Sequence, residues 1–502
     1  MRRLALVTAC AAALTPTGAW AGGFEGEYPD NGARALGRGG AFVAKADDPT
    51  ALYYNPAGLG LLRGTNLLLS VNLVDVTHSF QRAPDIVQTN VRRSFGPIET
   101  DSAPFPAPML IGHFDFEALP MLDFAVGVYG PSSHPNRSFP TQFPIAGAVR
   151  EVNGMTVDRI DKVRGVRDDA LAPNGLLIES QMLLAYPTVS VAWTVTEQLR
   201  LGVSLQAAMM QATIKKAIGG VLPAVTELEF HDYFTPTGII GVHYAPTSFL
   251  ELGFSLRPPI SVEAEGTVKA LKFAQCARGP CGTAEERANE PLGPYPLDGE
   301  QVLEDANGQP ADGITFDFDQ PMITRLGVRY VHRVGEAELF DVELDYVYSL
   351  QSVHESFVVG FDATQTQVEG LSEPIPVPGI EDARNYQDTH GFRLGGDYAV
   401  LPDRLTVRLG GTYETGASPD AYTTLDFPGL DQWSIAGGLG LTFDLVSVDV
   451  GYTYVGLIER TVEDSQAPLE DLQKEVADEE KIGNGTFSGH YHVFGLSTTW
   501  HL

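Results

Sequence analysis

Hydrophobic and polar residues alternate with a period of two in many separate stretches of this 502-residue chain. Between 447 and 457, Val448, Val450, Tyr452 and Tyr454 fall on one face, while Ser447, Asp449, Gly451 and Thr453 fall on the other. Between 405 and 414, Leu405, Val407, Leu409 and Tyr413 oppose Thr406, Arg408, Gly410, Thr412 and Glu414. Ile435, Leu439, Leu441 and Phe443 likewise oppose Ala436, Gly438, Gly440 and Thr442, and Leu201, Val203, Leu205 and Met209 oppose Gly202, Ser204 and Gln206. Period two places successive side chains on opposite faces, so each run reads as a strand between two unlike surroundings. The runs are about the ~10 residues that a tilted strand needs to cross a bilayer. They predict about fourteen strands, an even number as in bacterial single-chain barrels. The cores lie at 67–80, 109–116, 122–130, 188–195, 199–214, 234–244, 250–263, 323–332, 340–353, 391–398, 405–414, 434–443, 447–457 and 491–500.

The connections sort by length. Tight turns at 117–120, 197–198, 245–248, 334–336, 401–403 and 444–445 alternate with long polar segments at 81–108, 131–181, 215–229, 266–313, 354–389, 415–432 and 459–489. Short turns on one rim and long loops on the other mark a transmembrane barrel, with the turns in the periplasm. A soluble sandwich or propeller also alternates along its strands, but nothing sorts its loops by parity. No segment after the N-terminus offers the ~20 consecutive apolar residues of a spanning helix. The predicted fold is all-β, a transmembrane antiparallel β-barrel of about fourteen strands with both chain ends at the periplasmic rim.

The N-terminal part breaks the pattern. Met1, Arg2 and Arg3, the apolar run from Leu4 to Leu14 and the small-residue site Ala19-Trp20-Ala21 make residues 1–21 a signal peptide. Residues 22–62 do not alternate and are rich in glycine and small residues. They suit a small helical plug, or hatch, inside the barrel better than another strand. Asp48-Pro49 offers an N-cap and an N1 proline for a short helix that Pro56 limits. Residues 63–502 then form the barrel and its long loops.

Loss of the leader removes two arginines and leaves 31 basic against 64 acidic residues, a net charge of −33. A chain this acidic repels phosphate backbones, which excludes nucleic acid as a partner. Its acidic residues either keep the surface dispersed or sit on loops able to hold divalent cations beside lipopolysaccharide. Cys276 and Cys281 remain after the leader is cut, and an even pair in an exported chain predicts a disulfide. Gly37-Arg38-Gly39-Gly40 is superficially a phosphate-binding loop, but no strand precedes it and no βαβ unit follows. No hydrolase elbow or zincin motif is present either, so no enzyme activity and no cofactor are expected. His490 and His492 share a strand face at the spacing of a metal pair, yet no third ligand is visible, and no metal site is expected.

The lumen face carries the charges. Arg325 and Arg329 point away from Leu326, Val328 and Tyr330, and Asp341, Glu343 and Asp345 point away from Val342, Leu344 and Tyr346. A hairpin centred on Gly335 would set Arg329 opposite Asp341 and Arg325 opposite Asp345. On the lipid side an arginine near the midplane costs roughly 2–4 kcal/mol, so these charges belong inside. They form a structural ion-pair ladder, or else Arg325, Arg329, Arg393 or Arg408 receives a substrate carboxylate.

The stretch GARALGRGGAFVAKADDPTALYYNPAGL resembles the N-terminal hatch of the FadL/TodX family of outer-membrane hydrocarbon transporters, with Asn55, Pro56 and Ala57 as its motif. FAVGVYGPSS resembles that family's third strand, GIIGVHYAPTSFLELGFSLRPPISVEAEGTVK its sixth-to-seventh hairpin, and ITRLGVRYVH a later glycine-marked strand. The resemblance implies a barrel of about fourteen strands closed by the hatch. It also implies ligand capture at the outside, a shift of the hatch, and lateral exit where the third strand is kinked. Gly127, Gly130 and Pro131 are the candidates for that kink, because proline cannot donate to a ladder and glycine tolerates a bend; they equally suit a plain strand end. The chain ends Trp500-His501-Leu502 rather than on an aromatic residue, although Trp500 and Leu502 keep the outward face of Phe494 and Leu496. The function implied is passive uptake of hydrophobic compounds, long-chain fatty acids or related hydrocarbons, by a monomer set among outer-membrane lipid and lipopolysaccharide. Two other readings stay open: an assembly or secretion role on the same scaffold, and a secreted soluble β-rich binding module.

Overall fold

The computed structural model of the chain describes residues 31–87, 91–131, 136–140, 145–152, 155–159, 176–218, 224–273, 297–335, 337–353, 356–367, 374–377, 379–467 and 483–502. The expected leader and the Cys276 and Cys281 pair lie outside the described residues.

Fourteen antiparallel strands close into one barrel. In chain order they are β1 (Thr65–Arg82), β2 (Phe105–Asp115), β3 (Leu122–Tyr129), β4 (Glu179–Thr194), β5 (Leu199–Ile218), β6 (Ala224–Thr247) and β7 (Leu250–Arg257 continued by Ile260–Phe273). The second half comprises β8 (Gly313–Gln320 and Ile323–Val334), β9 (Ala337–Ser349 and Ser356–Phe361), β10 (Ile380–Ala383 and Thr389–Leu401), β11 (Leu405–Glu414), β12 (Gln432–Phe443), β13 (Val446–Leu457 and Arg460–Val462) and β14 (Gly485–His501). Each pairs with the next, and β14 returns to β1 in register from Asn66 opposite His501 to Arg82 opposite Gly485. At this seam Thr65 and Leu502 exchange backbone hydrogen bonds of 3.3 and 2.8 Å. The ladder therefore holds the unusual C-terminus, whatever its last side chain is.

Each expected core overlaps a strand, although the one expected over 340–353 stops at Ser349, before a 3-10 turn at Gln351–Val353, and several strands run further than alternation alone shows. The segment 215–229, expected as a long loop, is largely ladder: Lys215 lies opposite Glu227 and Thr213 opposite Glu229. Above the bilayer both faces of a strand meet polar surroundings, so the period-two signal fades while the backbone pairing continues. Proline breaks two strands. Pro258 and Pro259 interrupt β7, and Pro321 interrupts β8 at the same height, where a missing N–H cannot complete the ladder.

The wall is apolar outside and largely polar inside over its short-turn half. Leu205 and Leu409 are each 68% exposed on the outer face, and Val328, Phe392, Ile435 and Phe494 stand beside them in the same band. Inward-facing Asn72, Ser204, Arg325, Glu343 and Arg393 are buried. This inversion of a soluble protein is what a bilayer demands of a closed sheet. No helix among the described residues is long and apolar enough to cross a membrane. Replacing Leu409 by arginine should cost about 2–4 kcal/mol if its position is near the midplane. Urea unfolding of the barrel in lipid vesicles measures this, and an unchanged midpoint would show that the face does not lie in hydrocarbon.

Candidate functional site

Residues 31–62 fill the short-turn half of the lumen as three tight turns: helices Ala33–Leu36 and Ala51–Tyr54, and the 3-10 turn Pro56–Leu61. The second helix starts later than Asp48-Pro49 suggests. The Asp48 carboxylate accepts from the Thr50 amide at 2.7 Å and its carbonyl from the Ala51 amide at 2.9 Å, a local turn that delays the helix to Ala51. The capping geometry falls instead on Asn55-Pro56. The Asn55 side-chain oxygen accepts from the Ala57 amide at 3.2 Å, and Pro56 occupies the first position of the 3-10 turn. The Asn55 Nδ2 donates to Val43 at 2.9 Å and across to Val242 on β6 at 3.0 Å. One residue thus folds the plug on itself and ties it to the wall.

The main seat is β9. Its inward positions Asp341, Glu343 and Asp345 lie side by side, and four consecutive plug amides donate to two of them. Phe42 and Val43 reach Asp345 Oδ2 at 2.8 and 3.1 Å, while Ala44 and Lys45 reach Glu343 Oε1 at 2.6 and 3.3 Å. Arg38, fully buried, places its Nη2 at 2.8 Å from Asp341 and 3.1 Å from Glu343, and its Nη1 on Asp397 of β10. Lys45 Nζ is 3.1 Å from Asp341. The turn that aims Arg38 needs Gly39 and Gly40, at φ +63 and +77. The loop Gly37-Arg38-Gly39-Gly40 therefore shapes the plug. Close approach also dictates glycine on the wall: a methyl at Gly395 or Gly410 would lie 2.1 or 2.0 Å from the Arg38 carbonyl oxygen.

The expected hairpin register is off by two residues. Arg329 lies opposite Glu343, Arg325 opposite Val347, and Asp345 opposite Gly327. Val334 pairs with Ala337 around Gly335, and a bulge between the pairs Arg333/Glu338 and His332/Phe340 adds one residue, Leu339, to the β9 side; both move the register the same way. An even shift keeps every side chain on its expected face. Arg329 still reaches Asp341 diagonally at 3.0 Å, and it also contacts Glu251 and Glu338, each at 2.6 Å. Arg408 is 2.7 Å from Asp449 and 3.4 Å from Asp397, and Arg393 is 3.9 Å from Glu414. Arg325 stacks its guanidinium 5.0 Å from the ring of the plug's Tyr53. All four arginines sit at the level of the plug. Outside the barrel, His492 shares a 2.9 Å hydrogen bond with Tyr452, and His490 packs on Tyr454. Among the described residues no group of three metal-ligating side chains occurs.

Above the plug the lumen changes character. Inward-facing Phe230 packs on Phe316 at 4.5 Å, Phe316 on Phe357 at 5.8 Å, and Phe357 on Phe427 at 5.5 Å, all buried. The buried Arg384 guanidinium lies 4.9 Å from the Phe357 ring and 5.6 Å from that of Phe427, and pairs with Asp382 and Asp426 at 2.6 Å each, so an ion cluster borders these rings. Among the described residues the wall is discontinuous beside β3. The β3 ladder ends at Tyr129, opposite Met109 on β2 and Tyr186 on β4. The next pairing with β4 is made by Arg137–Ser138 at Ser180 and Glu179. Among the described residues, positions 181–185 of β4 carry no ladder partner on that side. Gly127 still lies within the ladder, opposite Ile111 and Thr188, whereas Gly130 and Pro131 follow its last pair. The opposite edge carries a sequence signal that alternation does not reveal. Gly130 donates to the Pro108 carbonyl at 3.4 Å, so the missing N–H groups of Pro106 and Pro108 are those that would face β3.

Compared by sequence with curated proteins, the chain matches none. Residues 12–500 match the family model described as outer membrane protein transport protein (OMPP1/FadL/TodX). Among solved structures, a Pseudomonas aeruginosa FadL homologue superimposes with a TM-score of 0.64 at 17% identity, over 95% of this chain and 99% of that one. The P. putida toluene transporter TodX gives 0.60 at 13%, over 96% and 99%. The Ralstonia pickettii toluene transporter TbuX gives 0.57 at 16%, over 94% and 99%. At such identities the structures share the fold with this chain.

Removing Arg38 should leave the carboxylates of Asp341, Glu343 and Asp397 crowded without their shared cation, at a cost of about 3–5 kcal/mol. Arg38→Ala is expected to leave a folded barrel whose plug is cut more readily by protease, with Arg38→Ala/Asp397→Asn recovering part of the loss. Equal cleavage of wild type and Arg38→Ala would remove this cluster as the anchor.

Proposed function

We propose that this chain, which belongs to the OMPP1/FadL/TodX family of outer membrane transport proteins, takes up hydrophobic compounds passively, by movement of the plug and lateral exit through the wall. The observation that carries the proposal is the cluster of buried phenylalanines above the plug. A water-filled porin has a polar interior, and an apolar one has no use for sugars or ions. A ligand that enters among those rings has two directions open to it. Downward lies the plug, held by buried ions that an apolar molecule cannot replace; sideways lies the place where the β3 ladder stops beside Gly130 and Pro131.

Hydrocarbons suit this path better than fatty acids. Arg329, Arg393 and Arg408 lie beside carboxylates of the wall, and Arg325 on the face of Tyr53. A fatty-acid headgroup would have to compete with those carboxylates inside an acidic, largely desolvated cluster. Relatives described as toluene transporters support the same direction. The outward Tyr452, Tyr454, His490 and His492 near the loop end of β13 and β14 support the reading that this rim meets lipopolysaccharide.

In a strain lacking the gene, restoring it should raise uptake of labelled toluene well above that of labelled hexadecanoate. Arg329→Gln is expected to leave that preference unchanged. Absence of any gain with either compound would sink the uptake proposal, and a hexadecanoate preference lost in Arg329→Gln would restore the carboxylate-receptor role.

A further inference from the structure

Four aromatic residues form a continuous chain from the plug to the edge of the wall opening. Phe42 meets Tyr54 edge-on at 5.4 Å, Tyr54 meets Tyr53 at 4.7 Å, and Tyr53 meets Tyr129 at 5.1 Å. Tyr129 then stacks on Tyr186 of β4 at 5.3 Å with the planes only 23° apart. Tyr129 is the last ladder residue of β3, and Tyr186 is its direct partner, so this stack closes the lower edge of the discontinuity.

The phenol oxygens at the stack are fixed. Gln206 Nε2 donates to the Tyr129 hydroxyl at 2.8 Å, and the Tyr186 hydroxyl donates to Gln320 at 3.0 Å. Around these fixed rings the wall supplies soft side chains: Met109 on β2, Met182 on β4 and Met210 on β5, all buried. Methionine is unbranched and polarizable and adapts its shape to what it touches. An ordinary packed wall would continue the ladder past such a pair. Here rings from plug and wall meet where pairing stops, held at their polar ends and cushioned at their apolar sides. That combination suits an interface made to open and close against a flat apolar guest.

We infer that Tyr53, Tyr129 and Tyr186 form a selective gate at the side opening, which passes flat, neutral aromatic molecules by exchanging ring–ring contacts within the chain for ring–guest contacts. The inference rests on the lateral-exit reading above. A guest with a π-face keeps the aromatic pairing energy while it separates Tyr53 from Tyr129; an aliphatic guest of similar area does not. The same exchange links the plug to the opening, because Tyr53 belongs to one and Tyr129 to the other.

The test compares uptake of labelled toluene and labelled hexadecane by full-length protein in the deletion strain, with barrel folding followed by heat-modifiable migration. In Tyr53→Ala, Tyr129→Ala and Tyr186→Ala the toluene-to-hexadecane ratio should fall roughly two- to tenfold. Tyr398→Ala, on the lipid face, serves as the aromatic control and should keep the wild-type ratio. Tyr53 is not part of the wall, so its variant reports on the gate even where a wall variant fails to fold. An unchanged ratio in folded variants, with normal wild-type uptake, overturns the gate and leaves lateral passage standing. A wild-type protein that raises uptake of neither probe overturns lateral passage and the gate with it.

Discussion

The rest of the structure depends on three carboxylates placed on one face of one strand. Asp341, Glu343 and Asp345 of β9 point into a lumen where water is scarce, and buried carboxylates are tolerated only with partners. The plug supplies those partners in two forms: the side chains of Arg38 and Lys45, and the amides of residues 42–45. The exchange is reciprocal. Plug segments without regular structure would carry unsatisfied N–H groups into the barrel, and the wall acids accept from them. A short, glycine-rich segment is thereby held by polar contacts as well as by its buried Phe42, Leu52, Tyr53, Tyr54 and Leu59.

That seat divides the interior. Below, the wall is ionic, and glycines such as Gly395 and Gly410 bring it into backbone contact with the plug. Above, phenylalanines pack together beside a second buried ion cluster, in which Asp426 meets Arg384 at 2.6 Å and Lys216 at 3.3 Å. The boundary coincides with the level at which β3 stops pairing.

Much of the barrel was legible in the sequence, because a wall with lipid on one side and a wet or plugged lumen on the other imposes period two on nearly every strand. The faces of Arg325, Arg329, Asp341 and Asp345 followed directly from it. Their partners did not. Register depends on where a bulge falls, and the bulge at Leu339 has no signature in the alternation. The seat joins residues about 300 apart in sequence, such as Phe42 and Asp345 with a separation of 303, and no local pattern announces a contact of that kind. Arg38 was legible only as a member of a glycine loop, and its role as the central cation emerges once the plug lies against β9. Pro106 and Pro108 were legible as residues but not as an edge, since the side to which a missing N–H points is known only from the pairing.

The distribution of anchors bears on how such a plug can move. Toward β9, β10 and β11 it is held by the Arg38 and Lys45 ion pairs, by four amide bonds to carboxylates, and by the Thr412 hydroxyl on the Gly39 carbonyl at 2.7 Å. Toward β4, β5 and β6 it is held by neutral or singly charged hydrogen bonds: Ser204 to the Leu52 carbonyl at 2.7 Å, Arg200 to the Gly60 carbonyl at 3.1 Å, and Asn55 to the Val242 carbonyl at 3.0 Å. Breaking one buried ion pair costs about 3–5 kcal/mol, whereas an ordinary hydrogen bond contributes about 0.5–1.5 kcal/mol. A piston-like withdrawal would have to break the costly side together with the cheap one. The plug is also held at β13 and β14, by the Thr453 hydroxyl on the Leu36 carbonyl at 3.4 Å and by the Ala33 amide on the Ser497 hydroxyl at 3.1 Å, so the ionic side toward β9 is the costliest of several to break. The ionic anchors of the plug are thus gathered toward β9 and β10, away from Tyr53 and its contact with Tyr129.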